Sequence, residues 1–424
     1  MMSIEGPFLS AVIARLSEPK QNLAAYGVAY AFALFLEAPV IMVMSAATAL
    51  VKDRASFLKI RRFVYALNGM MTAFMLICLI PPVYDFLIRD LMQLPPKIAD
   101  LTYITLALLL PWPAAIGYRR FYQGVLIRSH MTRRVAYGTI VRLSSMVGGA
   151  VALHFFTDLP GAAIGGAALS IGVLCEAAAS RKMAAKPVVE LLQSTEIAAS
   201  HDLTYRKITK FYFPLAVTSI LAMGVHPFVS FFLGQSKDAL DSLAALPVML
   251  ALVFIFRTFG LAFQEVGIAL MDERFENYPI LRNFAIRLGV FATAALMLIA
   301  FTPLARLWYE TVSGLPYELS IFTQPPTQIM AVIPALSVLL AFQRAMLMNA
   351  GKTEPITVAT IFEVGGILLT LYITIFLLNM SGIIAAALAL IAGRASANAW
   401  LVAPYFQALK RIRTLSVAQH AESV

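Results

Sequence analysis

Apolar stretches, each about as long as a bilayer is thick, follow one another through nearly all of this 424-residue chain. That pattern leaves few folds open. A helix crosses the hydrocarbon with roughly 20 mostly apolar residues. Inside lipid, every backbone N–H and C=O must find its partner within the protein, which admits helices and closed barrels only. The runs lack the alternation of barrel strands, so the sequence predicts an all-α polytopic membrane protein. Twelve spans are expected, the first of them, at 1–16, short. Composition agrees: 60% of residues are hydrophobic and 13% charged, against about a quarter charged in soluble domains.

The net charge of +10 suggests nucleic acid in a soluble protein, but loop asymmetry explains it here. Alternate loops, 52–62, 119–134, 181–210, 272–283 and 348–355 with the tail 408–424, hold 22 Lys and Arg, and the opposite loops hold five. Cytoplasmic loops collect basic residues. Both termini and the long 181–210 segment are therefore expected in the cytoplasm, and the protein in the inner (plasma) membrane. Cys78 and Cys175 both lie in apolar runs and imply no disulfide framework.

The chain repeats itself at half length. Setting Pro7-Phe8 on Pro227-Phe228 places Leu23-Ala24-Ala25 on Leu243-Ala244-Ala245, and Asp53-Arg54 on Glu273-Arg274. One residue of slip later, Leu94-Pro95 falls on Leu315-Pro316 and Thr139-Ile140 on Thr360-Ile361. Two parallel six-helix lobes are expected: 1–180, then a cytoplasmic linker 181–210, a second lobe 211–407 and a tail 408–424. The offset also leaves the first helix about 15 residues shorter than its counterpart. A half-length helix leaves backbone groups unsatisfied in lipid, so translation is expected to start upstream of Met1.

Charges inside spans follow the same offset with inverted sign. Glu37 matches Arg257 at 220, and Arg142 matches Glu363 at 221. A charge at mid-membrane is costly and points to function by default. Glu37 lies about 22 Å along its helix from the loop residue Lys52, near the membrane centre. Its functional reading is a coupling carboxylate, and its bland reading a fixed ion pair pinning two helices. Arg257 is equally central; a guanidinium stays charged and offers a rigid donor fork to carboxylate or phosphate. Arg142 is close enough to Arg134 to snorkel toward the cytoplasm. Arg344, like Arg120 in the first half, ends the fourth span of its lobe. The expected arrangement pairs Arg257 with Glu363 and Glu37 with Arg142. Arg257, Arg142 and Arg344 would contact a substrate, with Glu37 and Glu363 as coupling or ion-pair groups. Glu176, Glu265, Arg394 and His226 are weaker candidates.

Two six-helix halves, a cytoplasmic linker and a Pro-bearing first span in each half resemble the multidrug/oligosaccharidyl-lipid/polysaccharide exporter superfamily. The segments Leu23-Ala24-Ala25-Tyr26-Gly27-Val28-Ala29-Tyr30, Gly124-Val125-Leu126-Ile127-Arg128 and Phe213-Pro214-Leu215-Ala216 resemble one branch, the progressive ankylosis protein family. The superfamily resemblance implies a V-shaped, MATE-like transporter with a central cavity. The branch resemblance implies export of small anions such as citrate, pyrophosphate or nucleotides.

No Gly-x-x-x-x-Gly-Lys-Ser/Thr loop, His-Glu-x-x-His motif, Gly-x-Ser-x-Gly elbow or Cys/His cluster occurs. The sequence thus predicts no cofactor, no metal and no enzyme, but alternating-access transport driven by exchange or by an H⁺ or Na⁺ gradient. The expected partners are a small anionic substrate and membrane lipids, with the protein a monomer that binds no nucleic acid. The alternatives are a cation-coupled drug exporter, which needs unpaired acids among aromatics, and a lipid-linked precursor flippase, which would hold a pyrophosphate with Arg. A membrane enzyme would need Asp- or His-rich loops at a membrane face. A scaffold would leave the mid-membrane charges without a use.

Overall fold

A computed structural model of the protein describes residues 5–193, 203–271, 277–350, 352 and 354–422. The chain is an all-helical polytopic membrane protein. Ten described helices are long and apolar enough to cross a membrane, or eleven if the bent pair Arg54–Cys78 and Pro81–Leu91 is one span. The ten-residue apolar helix Glu5–Ala14 is additional to these. The start of the first expected span, the middle of the linker and the pair Glu273-Arg274 lie outside the described residues.

By its contacts the chain divides into two compact units. The first is built on Val12–Gly234 and includes Glu5; the second is built on Gln235–Val424 and includes Gly6–Ala11. In the first unit, α1 (Glu5–Ala14) precedes α2 (Pro19–Glu37), which unwinds through a short 3-10 turn at Ala38–Val40 into α3 (Val43–Leu50). Pro39 supplies the break, because a proline inside a helix removes one N–H and clashes with the preceding turn. Asp53 then caps α4 (Arg54–Cys78), its carboxylate accepting the Ser56 N–H at 2.8 Å. After α5 (Pro81–Tyr84) and a π-helical turn to Leu91, α6 (Pro96–Leu108) and α7 (Trp112–Arg128) together form one long span. Then come α8 (Thr132–Phe156), α9 (Gly161–Met183), the short α10 (Ala185–Gln193) and α11 (Tyr205–Gly234).

The second unit holds α12 (Ala239–Leu270), α13 (Tyr278–Ala300), α14 (Leu304–Arg306) with its π-helical turn to Val312, α15 (Tyr317–Met330), α16 (Ile333–Asn349), α17 (Glu354–Tyr372) and α18 (Gly382–Glu422). Its elements fall where the sequence offset puts them. Trp112–Arg128 and Ile333–Asn349 are the same length and stand 221 residues apart. Both halves carry a π-helical turn, and each follows it with a left-handed residue, Gln93 at φ 54° and Gly314 at φ 72°. An irregularity shared at the same register is a stronger mark of duplication than shared apolarity.

Two boundaries differ from the sequence expectation. The span expected at 100–118 runs to Arg128, so Arg119 and Arg120, expected in a cytoplasmic loop, are inside a helix. Their positive charge shortened the apparent apolar run. The span expected at 63–84 begins instead at Arg54, because the Asp53 cap starts the helix before its apolar face does.

One packing device repeats. A Cβ on Gly172 of α9 would stand 3.1 Å from the Arg142 carbonyl oxygen on α8. A Cβ on Gly393 of α18 would stand 2.6 Å from the Glu363 carbonyl oxygen on α17. Each glycine lets two helix backbones approach at the very residue that carries a buried charge.

Candidate functional site

The first unit gathers a buried polar network from five helices. Glu37 is the last residue of α2 before its break, and its carboxylate accepts the Trp112 indole N–H from the start of α7. The guanidinium of Arg142, from α8, lies over the Trp112 ring, 5.4 Å from its centroid. Arg142 donates to the Glu5 carboxylate at 2.7 Å and stands 3.8 Å from Glu176 of α9. Glu176 also takes Arg119 of α7 in an ion pair and accepts the Gln123 amide at 3.1 Å. The Arg119 and Glu176 side chains are 2% and 0% exposed. Arg120 forms no ion pair among the described residues, and of the neighbouring charges it acts most strongly on Glu37. Three carboxylates thus face three guanidiniums, and the cluster is neutral when all are ionised. The Tyr212 hydroxyl of α11 donates to the Pro39 carbonyl exposed by the break in α2.

The second unit holds a smaller cluster of different balance. Glu363 of α17 pairs with Arg394 of α18 at 3.0 Å and, more loosely, with Arg344 of α16 at 3.9 Å. Arg344 also reaches the Thr360 hydroxyl at 3.4 Å. Arg257, past the middle of α12, has only a ring contact, 5.8 Å from the centroid of Phe254. The charges that act on it are those of Arg394 and Glu363. Among the described residues three guanidiniums therefore share one carboxylate. A guanidinium does not lose its proton in a protein, so the cluster carries two uncompensated positive charges. The Nε atoms of Arg344 and Arg394 are buried without a hydrogen-bond partner.

The expected ion pairs are therefore replaced by others. Glu363 binds Arg394 and Arg344 rather than Arg257. Arg142 binds Glu5 and Glu176 rather than Glu37, and it is buried rather than snorkelled. The offset of 220–221 identified which positions carry charge. Pairing depends on which helices touch and on their rotation, which spacing along one chain does not encode. Arg119, Glu5 and Trp112 were not read as network members. Arg394 and Glu176 were weaker candidates, although each follows a small-residue stretch that brings its helix close to a neighbour. The Glu265 side chain lies outside the described residues.

No protein-family model matches the chain, and no curated protein does. Solved structures do. An inward-facing multidrug resistance MATE family transporter of the MOP superfamily aligns at TM-score 0.73 and 14% identity, over 97% of this chain and 95% of that one. Lipid II flippase MurJ in an inward closed conformation aligns at TM-score 0.72 and 13% identity, over 98% of this chain and 90% of that one. A MOP superfamily transporter from Pyrococcus furiosus, described as having a binding pocket of reverse polarity that suggests a different function, aligns at 0.56 and 16%, over 98% and 91%. These likenesses show that the chain has the MATE-type fold.

Proposed function

We propose that the protein is a secondary active exporter that moves a small organic or phosphorylated anion, citrate-, pyrophosphate- or nucleotide-like, by alternating access of two six-helix lobes. One observation carries the reading: three guanidiniums share one carboxylate in the second unit, and Arg257 has no acidic partner among the described residues. Uncompensated charge among apolar helices is expensive. An anion that arrives and leaves accounts for it, and the planar donor fork of Arg suits carboxylate and phosphate. The neutral network of the first unit supplies Glu37 as the group that couples to H⁺ or Na⁺. Arg142, held by two carboxylates, assists from within that network.

Relatives by fold support transport without choosing the cargo. A MATE transporter and a lipid II flippase share the architecture, and one MOP transporter is described by the reversed polarity of its pocket. Reversed polarity relative to a cation exporter is what an arginine-rich second unit provides. On the segments quoted above, we place the chain beside the progressive ankylosis branch, in the inner membrane with both termini cytoplasmic.

The test is uptake of radiolabelled citrate, pyrophosphate and nucleotides into proteoliposomes, with and without a proton or sodium gradient. Gradient-dependent anion uptake is expected. Movement of lipophilic cations with no movement of anions would replace this reading with the drug-exporter one.

A further inference from the structure

The second-unit cluster contains more than an excess of charge; its four members are unequally committed. Glu363 and Arg394 lie 3.0 Å apart on helices held together at Gly393. That pair is short, comes from backbones in close contact, and is internally neutral. Arg344 is held loosely by comparison: 3.9 Å from Glu363, 3.4 Å from the Thr360 hydroxyl, and with its buried Nε unpartnered. Arg257 has a ring and no acid. Two guanidiniums are thus available to a ligand, and two are not.

We infer that the site selects by charge and takes a dianion, one acidic group on Arg344 and the other on Arg257, while Glu363 and Arg394 remain paired. This rests on the anion-exporter reading and specifies its substrate class: a dicarboxylate or a phosphate monoester, rather than a monocarboxylate or a fully ionised tricarboxylate. The reason is electrostatic neutrality where water is scarce. A monoanion leaves one guanidinium uncompensated, and a trianion brings one charge too many. A group bound side-on to Arg344 would also satisfy its idle Nε–H, which a monodentate contact through the outer nitrogens leaves unmet. Selection by charge count tolerates different carbon skeletons, so the cargo is a class rather than one molecule.

The experiment measures binding of lactate, succinate and citrate at pH 7.5 to the purified full-length protein in nanodiscs, reading thermal stabilisation and displacement of labelled succinate. The wild type is expected to prefer succinate over both lactate and citrate by about tenfold. Glu363→Gln adds one net positive charge and is expected to shift preference toward citrate by about tenfold. The double change Glu363→Gln with Arg394→Gln restores the charge of two and should restore the preference for succinate, which a purely structural role for the pair does not produce. Because the single variant can fail to fold, a phosphate monoester serves as a control on the unaltered protein. Its second pKa lies near 6, so its affinity should rise between pH 5.5 and 7.5 as it becomes a dianion, more than that of a disulfonate of constant charge. Binding of anions without regard to charge, or a double variant that keeps the citrate preference, overturns the dianion inference and leaves the anion reading standing. Failure of all these anions, with lipophilic cations binding instead, overturns both.

Discussion

Glu176 shows how one residue decides the cost of a buried network. It takes Arg119, Arg142 and Gln123 together, with no exposure of its own. Truncating it leaves Arg119 buried without a counter-charge, whereas replacing both partners by apolar groups removes the problem as well as the bond. Glu176→Ala is therefore expected to destabilise the protein by about 3–5 kcal/mol, and the double change Arg119→Met with Glu176→Met by much less. Thermal unfolding in detergent, compared across the wild type, both single variants and the double variant, checks this; additive losses would show that the pair is not a coupled unit. The same residue marks the limit of reading from sequence. Its position in an apolar stretch was visible. Arg119, 57 residues earlier, looked like a loop residue because the basic cluster around it imitates a cytoplasmic boundary. Glu37 and Arg257 were legible as central charges because each interrupts a long apolar run. Their partners were not, since an indole, a ring edge or an acid from the first few residues leaves no periodic signal.

Helices place these charges through a few contacts. Gly393 sets the distance between α17 and α18 at Glu363. Gly393→Ala would drive a methyl group into the Glu363 carbonyl and the Ile367 side chain. It is expected to separate the helices, cost about 1–3 kcal/mol, and weaken anion binding by loosening Arg394 from Glu363. Gly365→Ala on the same helix pair, where a Cβ meets nothing within 4 Å, should leave both intact. Binding and melting measured on the two variants together distinguish close packing from a general effect of added volume.

The starts of α12 and α18 are tied by a different device. Asp238 accepts the Gly382 N–H at 2.9 Å and the hydroxyls of Ser242 at 3.0 Å, Ser236 at 3.2 Å and Ser381. Partial burial pushes its carboxyl up, but these four donors outweigh burial and hold it below the usual carboxylate value. A depressed folded value means the stabilisation is complete above the unfolded pKa, about 3.9, and is lost as pH falls through the folded one. The melting temperature is expected to drop as pH goes below about 4, with a shallower drop in Asp238→Asn. Equal acid limbs would assign the effect to other carboxylates. The first half makes a related tie with a different residue, the Ala162 N–H donating to Asn22 at 2.8 Å where the second half uses Ile383 and Ser242 at 3.0 Å. Low sequence identity between halves is compatible with this, because an amide and a hydroxyl serve the same N–H.

Across the whole molecule, duplication and its breakage carry the argument. Apolar run lengths and loop charge were enough to read an all-helical polytopic protein, since lipid leaves the backbone little alternative. Register was legible through proline and glycine positions, which mark breaks and close contacts on any copy. The difference between the halves was legible in sign only. One unit balances its charges and the other keeps an excess of two positive charges among the described residues. Gene duplication followed by divergence of a few buried residues thus separates a coupling half from a cargo half on one scaffold. The most direct test of that claim is anion uptake by Arg257→Gln in proteoliposomes, beside the wild type. Arg257 has no ion pair to lose, so its melting temperature should stay within a few degrees, while uptake of dicarboxylates and phosphate esters falls by about tenfold or more. Unchanged anion uptake by the variant, or wild-type vesicles that move only lipophilic cations, would contradict it.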